Sequence, residues 1–224
     1  MPTPAFAPIL EAARARHGAA AFEARMPHPH SAAELEAVGD DRYLSQMSLR
    51  IFRAGLKHSL VDAKWPAFED VFFGFEPRRV RAMPDEALEA LLGDRRLIRH
   101  WGKLKAVRDN AAAMIAVAGE HGSFAAWLAR WPTTDIVGLW EALAKRFSQM
   151  GGNSGPTFLR MVGKDTFILT GSVAAALQGW GVVSAAPKNR KDREAVQACF
   201  TAWAAETGQA LCQLSLILAA STDE

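Results

Sequence analysis

Cysteine is scarce in this chain: among 224 residues only Cys199 and Cys212 occur, thirteen positions apart, a spacing that suits neither a disulfide framework nor a four-ligand zinc site. Histidine is absent after His121, and His17, His28 and His30 have no cysteine near them. No metal site is therefore expected. No apolar run approaches the roughly eighteen residues that a membrane-crossing helix needs. The first two dozen residues are alanine-rich, but Glu11, Arg14, Arg16 and Glu23 interrupt them, so they lack the apolar centre of a secretory signal. A cytoplasmic, non-membrane protein is the expectation. Charge of one sign is lacking as well: 26 Lys and Arg against 24 Asp and Glu leave a formal +2, which permits nucleic-acid binding through a local patch without suggesting it. There is no repeat at a fixed period, which argues against a solenoid. Runs with period-two alternation are short and few, which argues against a sheet.

What is present is the material of a packed core. Half of the residues are hydrophobic, with 7 Trp and 12 Phe among them. Apolar residues recur at helical spacing along most of the chain, and the fold class is all-α. Ser31 and Glu34 have capping-box spacing. The stretch from Asp41 to Val61 reads as one long helix that stops before Pro66, and Pro84 with Asp85 and Glu86 reads as another helix start. Helices are expected over 96–120, 124–131 and 136–147, then over 157–162, 173–178, 191–205 and 211–220. Phe167 to Leu169 reads as helix edge or extended segment.

Three features suggest chemistry. Between two helical patterns lies Met150-Gly-Gly-Asn-Ser-Gly-Pro156, a hairpin candidate over 148–156. Glycines there permit positive φ and let backbone N–H groups at a helix start approach a phosphate, although the same cluster also fits an ordinary interhelical turn. Arg99, His100 and Lys103 form a basic cluster on one helix, and 187–191 forms a basic loop; either also fits a solvated surface.

The segments Ala54-Gly-Leu56, Phe72-Phe-Gly-Phe-Glu-Pro77, Ile98-Arg-His-Trp-Gly-Lys-Leu-Lys-Ala106 and Asn110-Ala111 resemble the central part of the DNA-3-methyladenine glycosylase I family, in the helix-hairpin-helix DNA glycosylase superfamily. The resemblance is firm over about seventy residues and looser through the glycine hairpin. It implies two helical lobes flanking a cleft, a terminal lobe of 1–40 plus 165–224 and a central lobe of 41–164. It also implies a monomer without cofactors that binds damaged duplex DNA and hydrolyses the N-glycosidic bond of a flipped alkylated base. On this resemblance Gly151, Gly152, Asn153, Ser154, Gly155 and Lys164 contact DNA, Arg50, His58 and Trp65 line the base pocket, and Arg99, His100 and Lys103 support it.

The chain departs from the family at telling places. Aligned on Ala54-Gly-Leu56, the family's pocket glutamate falls at Arg50 and its pocket tryptophan at His58. The superfamily's aspartate, which supports the oxocarbenium ion, falls at Ser172, with Asp165 a few residues upstream as a candidate replacement and Asp62 and Glu69 as more distant ones. Asp165 also fits a plain helix-cap role. A catalytically inactive DNA-binding or lesion-recognition module on the same scaffold is the alternative that these departures imply.

Overall fold

The computed structural model describes residues 3–222, and among them there are helices and turns but no strand. In chain order the helices are α1 (Ala7–His17), α2 (Ala19–Glu23), α3 (Ala32–Glu36), α4 (Asp40–Arg53), α5 (His58–Val71), α6 (Pro77–Arg81), α7 (Asp85–Ala90), α8 (Trp101–His121), α9 (Phe124–Arg130), α10 (Ile136–Arg146), α11 (Ser154–Met161), α12 (Gly171–Gly179), α13 (Arg190–Thr207) and α14 (Leu211–Ala220). They fall into two compact units. One combines the described residues up to His30, Pro132–Leu139 and those from Asp165 onward; the other combines Ser31–Trp131 with Trp140–Lys164.

In the terminal unit α1, α12 and α13 all pack on α14. That helix is apolar on nearly every side, with Leu211, Leu214, Ile217 and Leu218 buried, as a helix surrounded by partners must be. Phe167 stacks on Phe200 at 4.3 Å, Phe200 meets Trp203 edge-on, and the Trp203 indole donates to the Pro4 carbonyl at 2.8 Å. The Asn189 side chain and Asp192 close a capping box at the head of α13, and Gly208, left-handed at φ 70°, ends it.

In the central unit α4 runs through the middle, packed against α5, α8, α9 and α11. Eight of its fourteen residues are buried, among them Tyr43, Leu44, Met47, Ile51 and Phe52. The capping box of Ser31 and Glu34 heads α3 as expected. The Tyr43 hydroxyl donates to the Leu35 carbonyl at 2.8 Å, and burial, with Asp40 adding a smaller push, raises its phenol to about 12.

The expected single helix over 41–61 is two helices. Gly55, at φ 76°, breaks the chain there, and the buried Lys103 ammonium takes up the Phe52 and Ala54 carbonyls that the break leaves open. The stop before Pro66 is also corrected, because α5 runs through it to Val71. A proline inside a helix costs about 3 kcal/mol. Rings on either side offset that cost: Trp65 stacks on Phe68 at 5.0 Å and on Phe75 at 5.4 Å, and Phe72 meets Phe75 at 5.6 Å. Finally, α8 begins at Trp101 and not near 96, because the Asp94 carboxylate accepts from the Arg96 N–H in a turn and the His100 imidazole caps the Lys103 N–H.

Candidate DNA hairpin and base pocket

The segment between α10 and α11 is a tight hairpin fixed from behind by α8. Asn110, fully buried, accepts from the Ser148 N–H at 2.6 Å and donates to the Ser148 carbonyl at 3.1 Å. Gln149 takes a left-handed φ of 61°, and its side chain donates to the Gly102 carbonyl at 2.7 Å. Gly152 is left-handed at φ 58°. Gly151, Gly152 and Asn153 are exposed and Ser154 is half-buried at the start of α11, an arrangement that brings backbone N–H groups and a helix N-terminus to the surface together.

Gly155 plays a different part from the other hairpin residues. It is buried, its N–H donates to the Met150 carbonyl, and a Cβ there would lie 3.0 Å from that oxygen, so it closes the turn by close approach and does not face a ligand. Lys164 is likewise corrected. Its side chain is buried, and its ammonium donates to the Ala129 and Trp131 carbonyls at 3.2 and 2.6 Å, so it closes the end of α9 and is not presented to DNA.

The residues expected at a base pocket lie on α4 and α5. Arg50 stands in the last turn of α4, with its Nε buried and without a hydrogen-bond partner. Burial, followed by repulsion from Arg53, lowers its pKa. Burial and repulsion from Arg50 do the same to Lys103, whose ammonium lies 6.0 Å from the Phe52 ring centre. The neighbourhood is thus cationic, rimmed by aromatics and without a carboxylate on Arg50. His58 opens α5 and is exposed. Trp65 follows seven residues later on the same face of α5, half-buried in the ring stack, its indole donating to Ser45 at 3.1 Å.

The nearby acids are committed elsewhere. Ser45 passes the Trp65 contact on to Glu69 at 2.6 Å, and Glu69 receives a two-pronged Arg42 guanidinium at 3.1 Å on each oxygen. Asp62 pairs with Arg53 at 2.7 Å. Of the supporting residues, Lys103 and the His100 cap have structural partners, whereas Arg99 is exposed.

In the terminal unit, Asp165 accepts from the Leu211 and Cys212 N–H groups at 3.0 and 2.9 Å, one on each carboxylate oxygen, and so caps α14. Ser172 lies in the first turn of α12, whose cap is the Thr170 hydroxyl accepting from the Val173 N–H. Sequence reasoning quoted Asn110 only as part of the resemblance and gave neither it nor Gln149 a role, yet the two set the hairpin. An Asn and a Gln carry no periodic or charge signal, and only the turn they fasten gives them a role. It also passed over Trp101, which is exposed at the head of α8, next to the Gly102 that holds Gln149.

A model of the methyladenine glycosylase family matches residues 34–186, more than half of the chain. Among solved structures, one of 3-methyladenine DNA glycosylase I aligns at 25% identity with a TM-score of 0.50, covering 65% of this chain and 87% of that one. The Staphylococcus aureus 3-methyladenine DNA glycosylase I, in a structure describing 3-methyladenine recognition, aligns at 19% identity and a TM-score of 0.52, covering 62% of this chain and 80% of that one. A variant of 3-methyladenine DNA glycosylase I in complex with 3-methyladenine aligns at 20% identity and a TM-score of 0.50, covering 64% and 84% respectively. The last two likenesses are similarities of fold.

Proposed function

The chain belongs to the methyladenine glycosylase family, and from that premise we propose that it binds duplex DNA, holds an extruded alkylated base such as 3-methyladenine and hydrolyses its N-glycosidic bond. The observation that carries this reading is the hairpin: Gly151, Gly152 and Asn153 are exposed at the head of α11 on a turn that Asn110 holds rigid. A phosphodiester fits such a turn without its sequence being read. Extrusion costs a few kcal/mol, and a base methylated at N3 is cationic and departs neutral, so cleavage needs less assistance than for a neutral base. Water is the nucleophile, and no cofactor enters. The working form on this reading is a cytoplasmic monomer.

Specific observations favour a second reading, a lesion-recognition module without excision. Arg50, which falls at the family's glutamate when the chain is aligned on Ala54-Gly-Leu56, has a buried Nε without a hydrogen-bond partner, and on that alignment its cation would repel a cationic lesion. Ser172 has no charge to stabilise an oxocarbenium ion, and Asp165 is spent on α14. Release of free base from a methylated duplex under single-turnover conditions tests the two. Release above the rate of protein-free DNA supports the glycosylase; none, with DNA binding retained, supports the module.

A further inference from the structure

Of the seven tryptophans, all among the described residues, only Trp101 is exposed, at 37%. Trp65, Trp180 and Trp203 each donate an indole N–H to an oxygen of their own unit, and Trp127 lies against Phe124 at 5.3 Å. Exposed apolar side chains scattered singly need no explanation, but this one has company. Leu56, in the linker between α4 and α5, and Leu60, in the first turn of α5, are exposed as well. The first turn of α8, which Trp101 opens, is tied to that linker, because Lys103 donates to the Phe52 and Ala54 carbonyls.

The same turn is tied to the hairpin. The Gln149 side chain donates to the Gly102 carbonyl, and Asn110, further along α8, holds Ser148 at both its N–H and its carbonyl. One helix therefore carries the indole and fixes the turn that exposes Gly151, Gly152 and Asn153. Gly102, next to Trp101, is exposed and has no side chain with which to cover the ring. The surface nearby is positive: Arg99, and Lys57 in the linker, are exposed, whereas Asp109 and Asp62 are paired with Lys105 and Arg53.

An aromatic face beside such a turn, in a positive field, matches a nucleic-acid strand, since each nucleotide offers a π face next to an anionic phosphate. In intact duplex both faces of a base are covered by its neighbours, so an indole can stack only where a base has left the stack or lost its neighbour. We propose that Trp101 is a base-stacking contact for DNA and gives the chain a preference for locally unpaired DNA over intact duplex, a role that rests on the hairpin as a phosphate contact and not on excision. One base stack corresponds to roughly a fivefold to 150-fold difference in affinity.

The test is fluorescence anisotropy at low salt with three labelled probes: an intact duplex, the same duplex with a one-nucleotide bulge, and its single strand. The full chain and its Trp101→Ala, Trp101→Leu and Trp101→Phe variants are compared after thermal melts establish that each is folded. The native chain is expected to bind the bulged duplex and the single strand about tenfold tighter than the intact duplex. Trp101→Ala should lose that preference, and so should Trp101→Leu, which keeps an apolar surface without a π face; Trp101→Phe should keep part of it. Iodide quenching gives a second readout that a structural role would not move: the bulged probe should shield the native emission from iodide and leave that of Trp101→Phe unchanged. A native chain that binds DNA without preferring the bulge, or a preference unchanged in Trp101→Ala, overturns the proposal and leaves the hairpin reading standing. No binding of any probe overturns both. Self-association that Trp101→Ala abolishes, with DNA binding unaltered, also overturns it and gives the surface to a second copy of this chain.

Discussion

Asp165 shows how a single carboxylate divides between chemistry and structure. Both of its oxygens accept N–H groups at the head of α14, and an N-terminal cap of this kind is worth about 0.5–2 kcal/mol. Asp165→Asn keeps one acceptor and is expected to lower stability by about 1 kcal/mol in denaturant titration, while base release by the folded protein persists. Arg50 makes the opposite case, a charge in need of a partner. Its Nε is buried without a hydrogen bond and burial depresses its pKa, so Arg50→Glu removes a desolvated cation and supplies an attraction for a cationic base. Affinity for a 3-methyladenine duplex should rise roughly tenfold, about 1.4 kcal/mol, with affinity for unmodified duplex unchanged. Tyr43 gives a pH signature. Its folded phenol ionises at about 12 against 10.0 for the free group, so the unfolded chain loses that proton first and the tyrosine's contribution to stability falls as pH rises from 10 toward 12. Tyr43→Phe lacks the hydrogen bond to Leu35 and starts less stable at neutral pH; the gap between the two proteins should narrow through that window in parallel alkaline melts.

At the scale of elements, the hairpin is where backbone geometry and binding meet. Gly155→Ala would press a Cβ to 3.0 Å from the Met150 carbonyl, a conflict expected to cost about 1–3 kcal/mol and to shift the turn. Asn110→Ala leaves the Ser148 N–H and carbonyl without their buried partner, a loss of about 1–3 kcal/mol. Both variants should weaken duplex binding beyond their effect on melting, which fluorescence anisotropy at matched folded fraction would detect. The helices themselves were mostly legible: the boundaries of α9, α10, α13 and α14 fall within two residues of those read from apolar spacing and caps. The misreadings have local causes. Gly55 splits a continuous apolar pattern that looked like one helix, and Pro66 sits inside α5 because a ring stack outweighs the lost hydrogen bond. Lys164 was expected at DNA on the resemblance alone, but its partners are carbonyls from residues more than thirty positions away, which no local pattern reveals. Recognition of the family rested on contiguous motifs around Ala54, Phe72 and Ile98, and those lie within the matched residues 34–186.

The whole molecule carries a formal charge of only +2, so any DNA affinity must come from local groups and must respond to salt as those groups displace counterions. A protein neutralising three or four phosphates loses about 40- to 150-fold in affinity between 50 and 200 mM salt; a flat response would remove DNA as the ligand. The chain belongs to the methyladenine glycosylase family, and the three acids weighed for assistance, Asp165, Glu69 and Asp62, are each held by another partner. Excision by this chain would therefore draw on the lability of the lesion and not on an acid. Single-turnover release of free base from a 3-methyladenine duplex is the most direct measurement, made on the native chain and on Asp165→Asn and Ser172→Asp. Release from the native chain is expected above that of DNA alone, and is retained in folded Asp165→Asn. Failure of the native chain to release base, with gain of release in Ser172→Asp and intact duplex binding, would contradict it and identify a recognition module that holds damaged DNA without cutting it.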